Sequence, residues 1–266
     1  MLYVGRAARF CALIGFSLAL IGCGKSVNAG LPTPNGRNVS STTGYAPVVM
    51  VVLPGGRSIC TGTIVSEFAV LTAAHCALES GRYQVITDKG TFSTHEVFFT
   101  GQGNANSTDD LALLVFDREN PIANRAAGDV IYSIGDKVSE GDEIRLVGYG
   151  CDNITTRTGA GEKRTGTNVI SDITDYIEFV TPKTTSNSAN RGIIGPDNRA
   201  GSCFGDSGGP ALAKKGNSFE IVGVTHAGGS YQNSLISEYV NVATNSSNRA
   251  WLRSINTQEN LQIEGL

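Results

Sequence analysis

The sequence predicts an all-β protein built from two barrel-like halves and closed by one C-terminal helix. Three observations favour this fold. Thirty-three of the 266 residues are glycine, short apolar runs recur along the chain, and Gly, Asn, Asp and Pro fill the intervals between them. Because so many strands would strain one small barrel, we expect two halves that meet near residues 117–140.

The composition excludes some classes of function. Hydrophobic residues make up 40% of the chain and charged residues 17%, values typical of a folded protein rather than a disordered one. The formal net charge of −3 argues against binding to nucleic acid, which requires a basic face. We therefore expect no nucleic-acid partner.

The first part of the chain has the pattern of an export signal. Arg6 and Arg9 precede an apolar run at residues 10–22 that is too short to span a bilayer comfortably. Residues 20–23, Leu-Ile-Gly-Cys, resemble a bacterial lipobox. The resemblance implies a signal peptide at residues 1–22 and a lipid on Cys23, the only membrane attachment expected. An ordinary signal peptide cleaved nearby is the alternative. Either way we expect an exported protein, held at the periplasmic face of a bacterial envelope or released outside the cell.

The rest of the chain divides into three parts. Residues 23–44 are rich in small and polar residues and are expected to form a flexible tether or pro-segment. Residues 45–128 and 129–266 are expected to form the two halves. Strand-like runs begin with VVMVVL at 48–53 and TIVSEFAVLTAA at 63–74. In SSNRAWLRSI at 246–255, a serine start signal and three apolar residues at helical spacing predict the terminal helix.

The cysteines suggest disulfides. Cys11 falls in the signal, and Cys23 in the lipobox-like stretch. Four others remain: Cys60, Cys76, Cys151 and Cys203. In an oxidising compartment four thiols indicate two disulfides, with three possible connectivities. A metal site is disfavoured because no C-x-x-C spacing occurs, so no metal and no cofactor are expected.

The stretch GSCFGDSGGP at residues 201–210 surrounds Ser207 with glycine. Glycine is favoured where the backbone needs a positive φ or approaches another group closely. A serine hydroxyl becomes a good nucleophile only when an oriented base can take its proton. The stretch therefore raises the question of which histidine and which carboxylate accompany Ser207.

Context distinguishes the candidate partners. His75 stands in VLTAAHC, where a strand-like run breaks into small residues, whereas His95 lies within the strand-like run FSTHEVFF. In STDDLALLVF, Asp109 and Asp110 precede an apolar strand, a position from which a half-buried carboxylate could hold an imidazole in one tautomer.

TAAHC, DDLALL and GDSGGP resemble the three catalytic signatures of the chymotrypsin/trypsin family of serine endopeptidases, in that family's chain order. The resemblance implies two six-stranded antiparallel β-barrels packed side by side with a C-terminal helix. It implies that His75 is the general base, Asp110 its orienting partner and Ser207 the nucleophile. Asp110 is preferred to Asp109 because apolar residues and an alanine follow it directly, as in the family. The amides of Gly205 and Ser207 would form the oxyanion hole.

The resemblance also implies the disulfide pairing. Cys60 and Cys76 match a family bridge beside the catalytic histidine. Cys203 matches a family cysteine whose usual partner follows the nucleophile, but no cysteine follows Cys203 here, which leaves Cys151 as the expected partner.

The substrate pocket departs from the trypsin pattern. Family positions for the pocket fall on five residues: Gly201, Ser202, Phe204, His226 and Gly228. Gly201 stands where a trypsin-like enzyme carries an aspartate, so no carboxylate is offered to a lysine or arginine side chain. An uncharged apolar or aromatic side chain is favoured over glutamate. Glutamate would require His226 to pair with its carboxylate, and the alternative role of His226 is a structural contact with Asp110.

Activation is less clearly indicated. In the family a freed Ile-Val-like N-terminus pairs with the aspartate before the nucleophile, here Asp206. No such motif precedes Tyr45, although cleavage after Arg37 would expose Asn38. Asp206 could instead have another internal donor.

The sequence thus predicts a monomeric serine endopeptidase that acts on polypeptides. The alternative is a catalytically silent or never-activated binding protein on the same fold.

Overall fold

A computed structural model of the chain describes residues 40–42, 44–101, 107–154, 156–182, 199–231 and 234–266. The signal peptide, the lipidation at Cys23 and the cleavage after Arg37 fall outside these residues. In the part of the chain that is described, no helix is both long enough and apolar enough to cross a membrane.

The described residues form sixteen strands and one α-helix, α1, at Ser246–Gln258. The strands are, in chain order, β1 (Ser40–Ser41), β2 (Val48–Val52), β3 (Ile59–Ser66), β4 (Ala69–Thr72), β5 (Gln84–Thr87), β6 (Gly90–Ser93), β7 (Glu96–Phe99), β8 (Ala112–Val115), β9 (Ser133–Ile134), β10 (Glu143–Gly148), β11 (Arg164–Val169), β12 (Asp172–Ile173), β13 (Tyr176–Pro182), β14 (Pro210–Lys215), β15 (Ser218–Tyr231) and β16 (Ser234–Asn241).

The strands form two curled sheets. The first has the order β6-β5-β2-β3-β4-β8-β7 and is antiparallel throughout. The second has the order β1-β11-β10-β14-β15-β16-β13-β12, with β9 pairing in parallel with β15. The mostly β fold with two curled half-barrels and a C-terminal helix is confirmed. Within the described residues the sheets have seven and nine strands rather than six each, partly because two-residue strands such as β1 and β12 extend the second sheet.

The strand boundaries differ from the sequence prediction in three places. Residues 40–41, placed in the expected tether, instead pair with β11. The run at 63–74 is broken at Glu67, between β3 and β4. There the Phe68 N–H donates a hydrogen bond to Ser66 Oγ at 3.1 Å. His95 lies in the bend between β6 and β7 rather than within a strand, and its Nδ1 is 2.9 Å from Asp117 Oδ1.

Helix α1 begins at Ser246, but its N-cap lies one residue before the serines that were expected to start it. Asn245 is the N-cap, and its side-chain oxygen accepts hydrogen bonds from the N–H groups of Ser247 (3.0 Å) and Asn248 (3.1 Å). The asparagine amide supplies the acceptor that the first turn of the helix needs.

One core joins both sheets to the helix. The cluster contains Leu71 and Leu113 of the first sheet, Leu212 and Val224 of the second, and Leu252 of α1. All five side chains are almost fully buried. The two sheets are therefore held together by shared apolar burial, and the candidate catalytic residues come from the strand ends and loops around this junction.

Candidate active site

His75 lies in a single 3₁₀ turn, Ala74–Cys76, that directly follows β4. Its ring Nδ1 is 2.6 Å from Asp110 Oδ2, and its backbone N–H donates to Asp110 Oδ1 at 2.8 Å. Both oxygens of one carboxylate therefore contact one histidine, which fixes the ring's orientation and leaves Nε2 as the nitrogen that can exchange a proton.

The two adjacent aspartates have different environments. Asp110 is buried just before β8, and its N–H donates to the Ser107 carbonyl at 3.2 Å. Asp109 is only partly buried and accepts a hydrogen bond from Ser107 Oγ. Of the two carboxylates, the structure brings that of Asp110 against His75.

Ser207 lies in the loop before β14, and its backbone is packed against the segment that carries His75. The Thr61 N–H donates to the Ser207 carbonyl at 2.8 Å, and Cys76 Sγ lies 3.7 Å from the same oxygen. The next residue, Gly208, approaches β4 so closely that an added Cβ would lie 2.0 Å from Thr72 Oγ1. Glycine at 208 therefore allows the serine loop to approach the histidine turn.

The Gly205 amide has the conformation that the glycine-rich motif suggests. Gly205 adopts a φ of +102°, a left-handed conformation that favours glycine. Its carbonyl accepts a hydrogen bond from Thr61 Oγ1 at 2.8 Å, which fixes the peptide. Within the described residues, neither the Gly205 N–H nor the Ser207 N–H donates to another group of the protein. Two such donors close together can stabilise a developing oxyanion.

The Asp206 carboxylate is enclosed behind the serine. It accepts hydrogen bonds from the Gly150 N–H at 2.6 Å and the Cys203 N–H at 2.8 Å, so two internal amides hold it. Burial raises its pKa from 3.8 to about 6, while the two amide bonds and Arg164 act in the opposite direction. An added Cβ at Gly150 would lie 2.3 Å from its carboxylate carbon, which explains the small residue there.

His226 lies behind Asp110 rather than on an open pocket surface. Its side chain is 1% exposed, with Nδ1 3.8 Å from Asp110 Oδ2 and Nε2 3.5 Å from Glu238 Oε2. The Tyr176 ring stacks on it, with ring centres 4.6 Å apart. The imidazole lies between two carboxylates, and one of them is Asp110, the structural contact expected as the alternative role of His226. A place for His226 in the substrate pocket stays a prediction. No sequence motif marked Tyr176 or Glu238.

Burial and the nearby acids raise the pKa of Tyr176 above its ordinary value, with Glu238 the leading charge and Asp175, Asp109 and Asp110 contributing less. The surroundings of His226 are thus strongly acidic.

The other pocket candidates lie on two neighbouring segments. The Ser202 N–H donates to Ser237 Oγ at 2.9 Å, and a Cβ added at Gly228 would lie 3.5 Å from Ser202 Oγ. Gly201 is buried at the start of this segment, whereas Phe204 is exposed at its other end. Strands β15 and β16 therefore bring Gly228 to the segment that precedes Ser207.

Two disulfides brace the site. Cys60 is bonded to Cys76, next to His75, and Cys151 to Cys203, four residues before Ser207. Among the described residues, the group of possible metal ligands is Cys60, His75 and Cys76, whose ligand atoms lie within 4.8 Å of one another. Because both sulfurs belong to a disulfide, they are not thiolate ligands.

Comparisons with known proteins agree with this geometry. The family model described as Trypsin matches residues 35–252. Snake venom serine proteinase 14 of Crotalus adamanteus is 27% identical over 180 residues, which cover 65% of this chain and 68% of that protein. A solved structure of a Glu endopeptidase in complex with MPD has a TM-score of 0.59 and 16% identity, and the match covers 88% of this chain and 100% of that one. The family model matches most of the chain, the two sheets are curled, and a buried Asp–His pair lies beside the glycine-rich serine loop. The chain therefore belongs to the trypsin family of serine proteases.

Proposed function

We propose that this protein is a serine endopeptidase that cleaves polypeptides through an acyl-enzyme on Ser207. The observation that carries the proposal is the bidentate contact of buried Asp110 with His75, next to the backbone of the serine loop. Such an arrangement orients a base toward a hydroxyl.

In the first step Ser207 Oγ bonds to the carbonyl carbon of the substrate while His75 Nε2 takes the hydroxyl proton. The carbonyl π pair moves to the oxygen, and the Gly205 and Ser207 amides would stabilise the resulting oxyanion. One such donor typically lowers the barrier by about 2.7–4 kcal/mol. The C–O double bond then re-forms, the C–N bond breaks, and the leaving amine takes the proton from His75. Asp110 stabilises the transient imidazolium.

Water completes the reaction. His75 takes a proton from water as the water oxygen bonds to the acyl carbon, and collapse of this second intermediate breaks the bond to Ser207 Oγ. The serine oxygen takes back the proton from His75. The enzyme is restored, and one peptide bond and one water have become a carboxylic acid and an amine.

We propose a preference for uncharged apolar or aromatic side chains before the scissile bond. Gly201 offers no carboxylate to a cationic side chain, and Gly228 on the facing segment leaves space. The enclosed position of His226 favours this preference over glutamate, because its ring already faces Asp110 and Glu238. Glutamate remains the competing substrate class, since a similar fold belongs to a Glu endopeptidase.

Export is supported by the two disulfides and by the likeness to a snake venom serine proteinase. We further propose that the protein is a monomer. We also propose that a lipid on Cys23 retains it at a bacterial envelope, and residues 20–23 alone support this attachment. Growth with a radiolabelled fatty acid tests this, because Cys23→Ala should abolish incorporation.

We also propose that Asp206 positions the oxyanion amides through its bonds to Gly150 and Cys203. These amides supply an internal partner for its carboxylate, so catalysis would not need a freed N-terminal ammonium. A chain that begins before Arg37 and a chain that begins after it should then have equal catalytic activity.

A fluorophosphonate probe tests the catalytic proposal. Labelling of the wild type with loss in Ser207→Ala is the expected result, because the probe reacts with an activated serine. No labelling, before or after limited proteolysis, would instead support a silent binding protein. A panel of peptides with Phe, Leu, Glu or Lys before the scissile bond tests the preference, and fastest cleavage after Glu would overturn it.

A further inference from the structure

An aromatic ring and a cation lie together on the surface beside the proposed oxyanion site. Phe204, the residue directly before Gly205, has 43% of its surface exposed. The guanidinium carbon of Arg157 lies 4.2 Å from the centre of its ring. A guanidinium over an aromatic face is attracted by the ring quadrupole, so the contact restrains a side chain that would otherwise be mobile.

The loop that carries Arg157 is tied to the serine segment. The Asp152 N–H donates to the Thr158 carbonyl at 2.9 Å and closes the loop into a hairpin. At the base of this hairpin the Cys151 N–H donates to the Phe204 carbonyl at 2.8 Å. Cys151 is also bonded covalently to Cys203. The guanidinium is therefore held at a defined place relative to the scissile bond rather than on a free loop.

The acids of the same loop already have a cationic partner. Arg164 Nη2 lies 3.6 Å from Asp152 Oδ2 and 2.5 Å from Glu162 Oε2. Within the described ranges, no carboxylate forms an ion pair with Arg157, and the residue is exposed. Its charge is thus available to an anionic group of a bound polypeptide.

The position of the pair indicates which side of the scissile bond it faces. The proposed pocket is built where Ser202 approaches Gly228. At the other end of the segment, a Cβ added at Gly205 would lie 3.6 Å from Ile59 Cγ1, next to the disulfide of Cys60. Along the chain Phe204 lies between these two places. Because the proposed pocket at one end would hold the side chain before the scissile bond, we expect the other end of the segment to face the leaving group.

We propose that Arg157, held by Phe204, is a specificity-determining residue that favours an acidic side chain just after the scissile bond. This rests on the proposed endopeptidase function. A planar guanidinium suits a carboxylate because it can donate two parallel hydrogen bonds. Because the site is exposed, Arg157 should contribute no more to substrate binding than a surface charge pair does.

Matched peptides with Glu or Gln at each of the first three positions after the scissile bond test the proposal. The wild type should cleave one Glu peptide with a kcat/KM about 2- to 5-fold above its Gln partner, and salt should reduce the difference. Arg157→Gln should lose this preference and cleave the Glu and Gln peptides with similar kcat/KM values. Arg253→Gln, which removes an exposed arginine on α1, should keep it.

Equal preference in the wild type and Arg157→Gln, or no preference at any of these positions, would overturn the proposal. Binding of the same peptides to Ser207→Ala supplies a second measurement that needs no turnover. A Glu-over-Gln ratio of dissociation constants that depends on Arg157 supports the inference even if the probe fails to label Ser207. Failure of the proposed function is thereby distinguished from failure of this inference.

Discussion

Asp110 makes the decisive contacts at the scale of single residues. Its Oδ1 accepts the His75 backbone N–H, and its Oδ2 faces His75 Nδ1 at 2.6 Å and His226 Nδ1 at 3.8 Å. One buried carboxylate thus contacts two imidazoles. The shorter contact orients the proposed base, and the longer one places the buried His226 imidazole beside the same carboxylate.

Asp110→Asn should lower kcat by about 10⁴-fold, the size of effect known for the corresponding change in a serine protease. An amide can donate to Nδ1, which would favour the wrong imidazole tautomer for proton acceptance at Nε2. Steady-state cleavage of a Phe peptide measures this effect. Asp109→Asn is the matched control, and it should retain activity because its carboxylate contacts Ser107 rather than His75. Equal losses in the two variants would contradict the assignment.

Asp206 should make stability depend on pH. Burial raises the pKa of its carboxyl from 3.8 to about 6, so the folded state binds the proton more tightly than the unfolded state. The stabilisation of the folded state by this proton is fully present below about pH 4 and is lost as pH rises through about 6. The two-unit difference corresponds to about 3 kcal/mol of unfolding free energy.

Urea unfolding of the Ser207→Ala protein between about pH 4 and 7 measures this slope. Asp206→Asn should be less stable at low pH and lack the decline, since an amide does not titrate. Glu140→Gln, at an exposed carboxyl, should leave the slope unchanged. A decline that persists in Asp206→Asn would show that another group causes it.

At the scale of elements, the contact between the serine loop and the first sheet brings the two halves of the site together. Gly208 packs against β3 and β4, and its N–H donates to the Thr225 carbonyl of β15 at 2.7 Å. A Cβ there would lie 2.3 Å from the Thr61 carbonyl oxygen as well as close to Thr72. The loop touches both sheets, and only a glycine fits between them.

Gly208→Ala should lower the unfolding free energy by about 2–4 kcal/mol and slow labelling of Ser207. The reasons are a clash with backbone and a φ of +82°, both of which force the loop to move. Gly216→Ala is the control because its φ is also positive, at +59°, but no atom lies within 4 Å of the added Cβ. It should cost about 1 kcal/mol and leave labelling intact. Similar effects in both variants would refute a packing role.

At the scale of the whole molecule, the C-terminal segment joins the two halves. Arg118, which follows the first sheet, donates to the carbonyls of Glu259 and Asn260 at the end of α1. Arg249 within α1 donates to the carbonyls of Gly135 at 2.7 Å and Gly265 at 2.6 Å. Together with the shared apolar core, these contacts should make the halves unfold as one unit.

Leu252→Ala should lower the unfolding free energy by about 2–5 kcal/mol, because a fully buried side chain is removed from the shared core. Fluorescence of Trp251, the single tryptophan, and far-UV circular dichroism should report one coincident transition. Arg253→Ala, exposed on the same helix, should change stability by less than about 0.5 kcal/mol. Separate transitions for the two signals would contradict a shared core.

Much of this fold and site could be predicted from the sequence, because local patterns carry the information. The apolar runs predicted strands, and the spacing of Trp251, Leu252 and Ile255 predicted α1. The cysteine pairs of the structure are those that the family resemblance implied. Boundaries were less predictable: the break at Glu67 depends on a turn that the apolar pattern conceals. The division at residues 128 and 129 remains a prediction.

The fold class, the family and the residues offered for catalysis could be inferred from the chain alone, since each depends on short motifs whose order is visible. The surroundings of His226 and Arg157 could be seen only in the folded protein. The register that places Ala227 opposite Glu238 brings a carboxylate to the neighbouring histidine, and a disulfide-braced hairpin brings Arg157 to Phe204. Contacts between side chains far apart in sequence depend on register and packing, which no local motif records.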